Sequence, residues 1–338
     1  HVQIYLTRLP KTLNGRFSPE SGLLYEKGMG RRWLTLFPYV LLTIAVGYLV
    51  HELQGVRWEE FRDELQGQSA SRIALALLFL SLNYLVFSAY DLVAIRQLGR
   101  KIPAWQVVRT AVPSFALTNL LGYSMLTGLV FRIRDYGRYG LGLAQVSAVL
   151  AQNIEAWWIG FLFTGGWVLW PRPQSFFLIG AFVVYMTACW RSAGRTLKVK
   201  KFSLRLPDLR GGFYKTTVAT ADIGLTAATL YALLPSGVPL GFPEFFGLYL
   251  LAHGSGVLSL VPGGLGVIEG VLLTTLRPHA PDAAILASLL LYRLLRYVLP
   301  AVLTLIAEGR SIFDSATYKE IYEFQAASAA LHARPARP

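Results

Sequence analysis

The sequence predicts an all-α integral membrane protein with about six transmembrane helices and two re-entrant helical hairpins in an inverted repeat. Its 338 residues are 54% hydrophobic and only 15% charged, whereas a soluble domain carries about a quarter charged residues. Apolar runs of about 20 residues, enough to cross a hydrocarbon core of about 30 Å, recur along the chain. The Lys and Arg residues lie mainly in the short segments between these runs. We therefore expect much of the apolar surface to face lipid.

The net charge of +13 would suit a nucleic-acid partner if the basic residues formed one patch. Their distribution over short loops is instead typical of membrane topology, because positive loops stay on the cytoplasmic side. We therefore expect no nucleic-acid partner. One cysteine, Cys189, excludes an internal disulfide, and the scattered histidines have no zinc-site spacing. No metal and no cofactor are expected.

The basic loops predict the topology. Residues 1–32 are basic and form a cytoplasmic segment, residues 33–307 form the transmembrane domain, and residues 308–338 form a cytoplasmic tail. Residues 51–72 are rich in Asp and Glu and lie outside, with an amphipathic surface helix at "VRWEEFRDEL". The loop Arg191–Lys215 is strongly basic and cytoplasmic. The predicted full spans are 33–50, 73–95, 141–169, 175–190, 217–234 and 283–307.

Two further apolar runs do not fit a single crossing. The run Trp105–Phe131 is followed by Arg132, Arg134 and Arg138, which a full crossing would place outside. A hairpin that enters and leaves on the cytoplasmic face avoids this conflict, and it must turn near its middle, at Pro113, Asn119 and Gly122. Non-helical backbone at that depth is tolerated where protein covers it.

The second run, Phe245–Leu276, contains turn-forming residues that make a continuous helix unfavourable, namely Pro262, Gly263, Gly264 and Gly266. The two hairpins produce an internal symmetry. The unit of span, hairpin and span over 73–169 begins and ends outside, and the unit over 217–307 begins and ends inside. Such inverted repeats are typical of transporters, whose sites lie near the midplane between broken helices.

Charged side chains inside these runs are candidate functional residues, since each costs about 2.5–3.5 kcal/mol at the membrane centre on insertion scales. Glu155, Asp222, Glu269, Arg293 and Arg296 belong to this set. One alternative is structural pairing of a Glu with an Arg. The other is a polar cavity in which an arginine holds a phosphate. Because Arg293 and Arg296 are three residues apart on one helical face, we expect both to face such a cavity, with Glu155 and Glu269 within reach.

Three other polar residues have less specific signals. For His253 a hydrogen-bonded packing role is favoured over proton transfer. Tyr90 and Asp91, at the inner end of the second span, are expected to cap or anchor that helix.

Four strings make a more specific resemblance: "YDLVAIRQLGR", "LTNLLGYSMLTGLVFRIRDYGRYGL", "SLVPGGLGVIEGVLL" and "SLLLYRLLRYVLPAVL". Together they resemble the lysylphosphatidylglycerol synthase transmembrane-region family. That family includes the flippase domain of the multiple peptide resistance factor and standalone bacterial inner-membrane homologues. The resemblance implies movement of a phospholipid between leaflets, in the best-known members an aminoacylated phosphatidylglycerol. By motif match it implies a lipid-binding role for Arg132, Glu269, Tyr292, Arg293 and Arg296.

Residues 308–338 leave no room for the further spans and soluble aminoacyl-transferase domain of the full resistance factor. We therefore expect a non-enzymatic transporter of an anionic or aminoacylated phospholipid in the bacterial cytoplasmic membrane. A homo-oligomer and a separate lipid-synthesising enzyme are the protein partners left open. Two other functions also stay open. One is a polyprenyl-phosphate-dependent glycosyltransferase that uses Glu59 and Glu60 of the first outside loop, and the other is a small-solute transporter.

Overall fold

A computed structural model describes residues 58–313, except 122–123, 193–194, 200–201, 206, 236, 259–263 and 265. The predicted first span, the N-terminal segment, the tail from residue 314 onward, and the turn residues Gly122, Pro262 and Gly263 lie outside the described residues. The described chain is predominantly helical. Its elements are α1 (Trp58–Gly67), α2 (Ala70–Gln97), α3 (Ala104–Leu121), α4 (Ser124–Gly137), α5 (Leu143–Val168), α6 (Pro173–Ser192), β1 (Thr196–Val199), β2 (Phe202–Arg205), α7 (Leu209–Leu233), α8 (Phe242–Leu258), α9 (Val267–Leu276), α10 (Asp282–Arg293) and α11 (Leu299–Phe313).

Four helical segments of the described chain are long and apolar enough to cross a membrane, namely α2, α5, α6 and the continuous stretch Asp282–Glu308. Each coincides with a predicted span. A helix also forms at the predicted surface segment, as α1. One departure from the all-α prediction is a short antiparallel hairpin in the basic loop, where Thr196 pairs with Arg205 and Val199 with Phe202.

Helix α7 was predicted to begin as a span at Thr217, but it begins eight residues earlier, at Leu209. The Asp208 side chain fixes this start by accepting a hydrogen bond from the Gly211 amide at 2.8 Å. Although α7 is 25 residues long, it is not among the helices apolar enough to cross a membrane by composition. Lys215, Asp222 and several threonines lower its hydropathy, and these side chains are buried. A helix surrounded by protein has no need of a uniformly apolar surface.

The bundle packs around α7, which contacts both α2 and α5. A Cβ on Gly160 of α5 would lie 2.2 Å from the Cβ of Ala219 on α7, so the two backbones meet at closest approach there. Small residues at helix contacts allow such a close approach of two backbones in membrane proteins. Towards the far end of α7, Leu230 and Leu233 join Phe245, Leu272 and Ile285 in the largest buried apolar cluster.

Helices α3 and α4 form an antiparallel hairpin. Thr110 donates to Asp135 at 3.1 Å, while a Cβ on Gly128 would lie 2.8 Å from the Thr118 hydroxyl. Residues near the C-terminus of α3 therefore contact residues near the N-terminus of α4. The prediction of a turn at Pro113 is wrong in position, because Pro113 lies inside α3 and the break comes after Leu121. Proline removes one backbone donor, and the helix continues past it.

Helices α8 and α9 are also separated by a break, at the predicted glycine-rich segment. Gly264 and Gly266 both have left-handed backbone, with φ of +63° and +73°, a conformation that glycine adopts without steric cost. The Gly266 amide donates to Glu269 at 2.9 Å, so this carboxylate caps α9. In the following loop the exposed Arg277 donates to Asp282 at 2.8 Å, and this hydrogen bond raises the pKa of the guanidinium.

The last predicted span is helical throughout but contains one π-helical turn, Leu294–Val298. Such turns replace the i→i+4 hydrogen bond by a wider one and often occur at functional sites. This turn carries Arg296 and separates it from Arg293, the last residue of α10.

Candidate functional site: a polar cavity among buried charges

A cavity of about 200 Å³ lies among α2, α3, α4, α5, α7, α8 and the π-helical turn. We call it the polar cavity because it has both charged and aromatic walls. Its lining residues are Phe87, Tyr90, Phe115, Thr118, Asn119, Arg132, Leu150, Asn153, Ile154, Trp157, Asp222, His253, Arg296 and Tyr297. A ligand pocket of this kind fixes its ligand with a few polar groups in an otherwise apolar lining.

One wall is a closed ion pair. Arg132 of α4 donates to both carboxylate oxygens of Asp91 on α2, at 2.7 and 3.0 Å. Tyr136 donates to the same carboxylate at 2.6 Å, as does Asn153 of α5 at 2.6 Å. Both charged side chains are almost fully buried, at 1% and 0% exposure. Asp91 was expected to cap or anchor its helix; it instead joins α2, α4 and α5 through a saturated carboxylate.

The opposite wall holds a second carboxylate, Asp222 of α7. Asn83 of α2 donates to Asp222 Oδ1 at 2.8 Å, and Tyr90 donates to Asp222 Oδ2 at 3.0 Å. Arg296 donates in turn to the Asn83 side-chain oxygen at 2.6 Å. The asparagine amide thus bridges the acid and the base, with its two ends matched to the two charges.

Arg296 differs from Arg132 in lacking a direct counter-ion. It is 6% exposed, yet no carboxylate among the described residues lies within ion-pair distance of it. Its Nε–H has no hydrogen-bond acceptor among those residues. The guanidinium instead lies over the rings of Phe87 and Tyr297, at 5.5 and 6.0 Å. A buried arginine held this way keeps its charge available to an anionic ligand.

Three further buried atoms at the polar cavity lack hydrogen-bond partners among the described residues, namely Asn119 Nδ2, His253 Nδ1 and Asn153 Oδ1. The His253 ring stacks on Tyr249 at 5.3 Å and lies 5.6 Å from the Trp157 ring. The predicted packing role of His253 is therefore present, but its Nδ1 makes no hydrogen bond to a described residue. Buried polar groups are usually satisfied by protein, water or ligand, so four such atoms around one cavity, Arg296 Nε included, identify it as the candidate site.

The structure brings together only two of the six residues predicted to bind lipid. Arg132 and Arg296 line the polar cavity. Arg293 instead donates to Glu269, which ties α10 to the N-terminus of α9. The π-helical turn lies between Arg293 and Arg296, yet both guanidiniums lie over the Tyr297 ring, at 5.6 and 6.0 Å. Of the two, only Arg296 lines the polar cavity. Tyr292 is buried in the apolar cluster beside α7.

Glu155 belongs to another cluster, between α5, α6 and α7. Its carboxylate accepts from Tyr185 at 2.8 Å and from Lys215 at 2.8 Å. Lys215 is 2% exposed and Glu155 33% exposed. The expected placement of Glu155 beside the two arginines is therefore wrong. Its spacing along α5 places it on a different helical face from Asn153, two residues earlier, which does line the polar cavity.

Asn83, Asp91 and Asn153 were missed as site residues, whereas Asp222 was among the charged candidates. A signal for Asp91 was also present, because it is a carboxylate inside the predicted span 73–95. Asn83 and Tyr90, seven residues apart, share one face of α2, which the spacing could have shown. That Asn83 bridges α7 and the π-helical turn is a tertiary contact with no sequence signal. Asn119, expected at a turn, lies in the last turn of α3 and lines the polar cavity.

No family model matches the chain. An uncharacterised protein of Synechocystis is 30% identical over 284 residues, covering 77% of this chain and 85% of its own length. Inner membrane protein YbhN of Escherichia coli is 26% identical, covering 81% of this chain and 89% of its own. Phosphatidylglycerol lysyltransferase of Staphylococcus aureus is 25% identical over 83% of this chain, which spans only 34% of that protein.

The identity of these relatives is consistent with the family that the four motif strings resemble. The apolar helices of this chain are consistent with it as well, and the match to the lysyltransferase covers only a third of that protein. The chain is a helical membrane protein of the lysylphosphatidylglycerol synthase transmembrane-region family.

Proposed function

We propose that this protein carries a phospholipid headgroup between the leaflets of the cytoplasmic membrane through the polar cavity. The observation that carries the proposal is Arg296, a buried guanidinium without a direct counter-ion at a cavity wall. Because its charge is costly at membrane depth, a structural role alone would favour pairing with a carboxylate, as Arg132 and Arg293 do. An anionic group entering the cavity would complete that pairing.

The donors and acceptors of the polar cavity suit a phosphodiester headgroup. Arg296 Nε can donate to a phosphate oxygen. Asn153 Oδ1 and the Asp222 carboxylate are acceptors for a hydroxyl or an ammonium on the same headgroup. This combination fits an anionic or aminoacylated phospholipid, in keeping with the phosphatidylglycerol for which the lysyltransferase relative is named. We propose transport without catalysis. The buried charges lie between helices, whereas the glycosyltransferase alternative requires acidic residues in an outside loop.

The proposal includes the predicted topology of six spans, two re-entrant hairpins and cytoplasmic termini. Helix α3 has 18 residues, about 27 Å, which is long for a half-membrane helix. Its first turns contain Gln106 and Arg109, however, and these can lie at the membrane interface. The apolar part from Thr110 to Leu121 covers about 18 Å, and the antiparallel contacts with α4 support a path that returns to the side it entered.

Single cysteines at exposed positions should locate each hairpin, in a background where the buried Cys189 is replaced by alanine. Lys101 and Arg138 flank the first hairpin, Pro239 and His279 flank the second, and all four are exposed. We expect an impermeant thiol reagent, added to intact cells, to label Pro239→Cys and His279→Cys but neither Lys101→Cys nor Arg138→Cys. Labelling of only one member of either pair would show a full crossing and contradict the hairpin.

Replacing Arg296 with Lys or Gln should slow phospholipid translocation while the protein stays folded. A charged hydrogen bond contributes about 1.5–3 kcal/mol, so we expect a loss of about 10- to 100-fold in rate. The Lys variant keeps the charge but lacks the planar fork. The measurement is dithionite quenching of a headgroup-labelled phosphatidylglycerol in proteoliposomes, with thermal stability recorded for each variant.

Arg277→Gln is the matched control, because it removes an arginine whose only described partner is the exposed Asp282. Its rate should equal that of the wild-type protein. Wild-type rates in both Arg296 variants would remove Arg296 from the transport site. Uptake of soluble glycerol phosphate without any lipid translocation would favour a solute transporter instead.

A further inference from the structure

A second and larger cavity, of about 1050 Å³, lies between α5, α6, α8 and α9. We call it the apolar groove, because its lining is mainly leucine, valine, phenylalanine and glycine. Its volume is at the upper end of the range of about 300–1,000 Å³ for ligand pockets. Two of its lining residues, Leu251 and Leu258, are 59% and 71% exposed. Because such exposed apolar side chains on membrane helices face lipid, the groove is open sideways to the bilayer.

The polar residues of the apolar groove are concentrated at one end. Arg172, Glu244 and His279 line it, and all three are exposed. They lie in or beside the connections where α5 ends, α8 begins and α9 ends, so they mark one membrane surface. Apolar residues continue from there along α8 as far as Leu258. This polarity, with charged groups at a membrane surface and an apolar body below, matches a phospholipid.

The length of the apolar groove also fits a chain of one leaflet. From Glu244 to Leu258 the helix α8 rises by about 21 Å, whereas half of a hydrocarbon core is about 15 Å. The groove is therefore long enough to reach from the surface to the middle of the membrane.

Two stacked rings of α5 lie between the two cavities. Phe161 of α5 lines the apolar groove and stacks on Trp157, which lines the polar cavity, at 5.4 Å. The same ring lies against Gly254 of α8, where a Cβ would be 2.7 Å from it. Gly254 follows His253 directly, so the two residues face opposite cavities. At this point the partition consists of the stacked Phe161 and Trp157 rings, with Phe161 packed on a glycine.

We propose that the apolar groove binds an acyl chain of a membrane phospholipid, with the Phe161 ring as the partition between that chain and the polar cavity. The inference rests on the proposed function for the identity of the lipid, since the same molecule would place its headgroup among Arg296 and its neighbours. The binding of an acyl chain in the groove depends only on the shape and polarity of the groove.

The test is photo-labelling of the full chain in liposomes of phosphatidylethanolamine and phosphatidylglycerol, with a trace of phosphatidylglycerol that carries a diazirine at the end of one acyl chain. We expect labels on peptides of α5 and α8 that line the groove, in excess of labels on the lipid-facing helix α11. Ser255→Trp should fill the groove and reduce that labelling several-fold. Leu303→Trp, at a site 56% exposed on α11, is the matched control and should leave it unchanged.

Equal labelling of all lipid-facing helices, unaffected by Ser255→Trp, would show ordinary boundary lipid and overturn the proposal. If Ser255→Trp does not fold, Leu251→Trp offers the same block from an exposed position. Phe161→Ala should extend the labelling to peptides at the polar cavity, and unchanged labelling there would refute the partition. Groove labelling in a protein that fails to translocate lipid would contradict the proposed function while the groove still stands as a lipid site.

Discussion

Replacing Asp91 with Asn should destabilise the protein by about 3–5 kcal/mol, since it leaves the Arg132 guanidinium buried without its counter-ion. The carboxylate accepts four hydrogen bonds, from Arg132 twice and from Tyr136 and Asn153. An asparagine of the same shape can accept only on its oxygen, and its amide would face donors. The free energy of unfolding can be measured by titration with a denaturing detergent in mixed micelles.

Two further variants test whether the loss of stability comes from the unpaired buried charge. Asp91→Asn combined with Arg132→Gln removes both charges, and it should recover part of the stability, because no unpaired ion remains buried. Asp282→Asn breaks an exposed pair with Arg277 and should have little measurable effect. Equal losses in Asp91→Asn and Asp282→Asn would mean that burial of the Asp91 pair contributes nothing.

Replacing Gly160 with Ala should also destabilise the protein, by about 1–3 kcal/mol, the usual cost of overpacking. The added methyl would lie 2.2 Å from the Ala219 Cβ and 3.0 Å from the Ala219 carbonyl carbon. Helices α5 and α7 would have to separate, and their contact supports Asn153, Asp222 and both walls of the polar cavity. Alanine is a better helix former than glycine by about 1 kcal/mol, so its higher helix propensity offsets part of the loss in stability.

Gly180→Ala in α6 is the matched control, because a Cβ there would meet nothing within 4 Å. It should be neutral or stabilising in the same detergent titration. Ala219→Gly added to Gly160→Ala should restore part of the stability, but the α7 backbone stays close. A loss of equal size in Gly160→Ala and Gly180→Ala would argue for a general effect of glycine instead of a helix contact.

Much of the fold could be predicted because lipid imposes simple rules. Apolar runs of sufficient length gave α2, α5, α6 and the last helical stretch, and the glycine-rich segment gave the break before α9. The prediction that failed concerned the local geometry of the backbone. Pro113 looked like a turn residue, but the break follows Leu121, since a helix can lose one backbone hydrogen bond and continue.

For the candidate site, the sequence predicted the types of residue involved but not most of their contacts. Buried arginines and carboxylates were expected to meet, and Arg293 does pair with Glu269. Glu155 pairs with Lys215 instead of an arginine, and Arg132 pairs with Asp91. The spacing of Arg293 and Arg296 assumes a regular α-helix, and the π-helical turn breaks that assumption in a way no sequence rule shows. Asn83 connects Asp222 to Arg296 across two helices, and such a bridge depends on how the helices pack.

The polar character of α7 has a consequence for how the protein is made. At the membrane centre an isolated Asp costs about 2.5–3.5 kcal/mol on insertion scales, and α7 carries Asp222 near its middle and Lys215 in its second turn. Those charges find their partners on α5 and α2, through Glu155 and Asn83. Helix α7 is therefore a poor substrate for insertion by itself. During synthesis it should leave the translocon only when the helices made before it are already present to receive it.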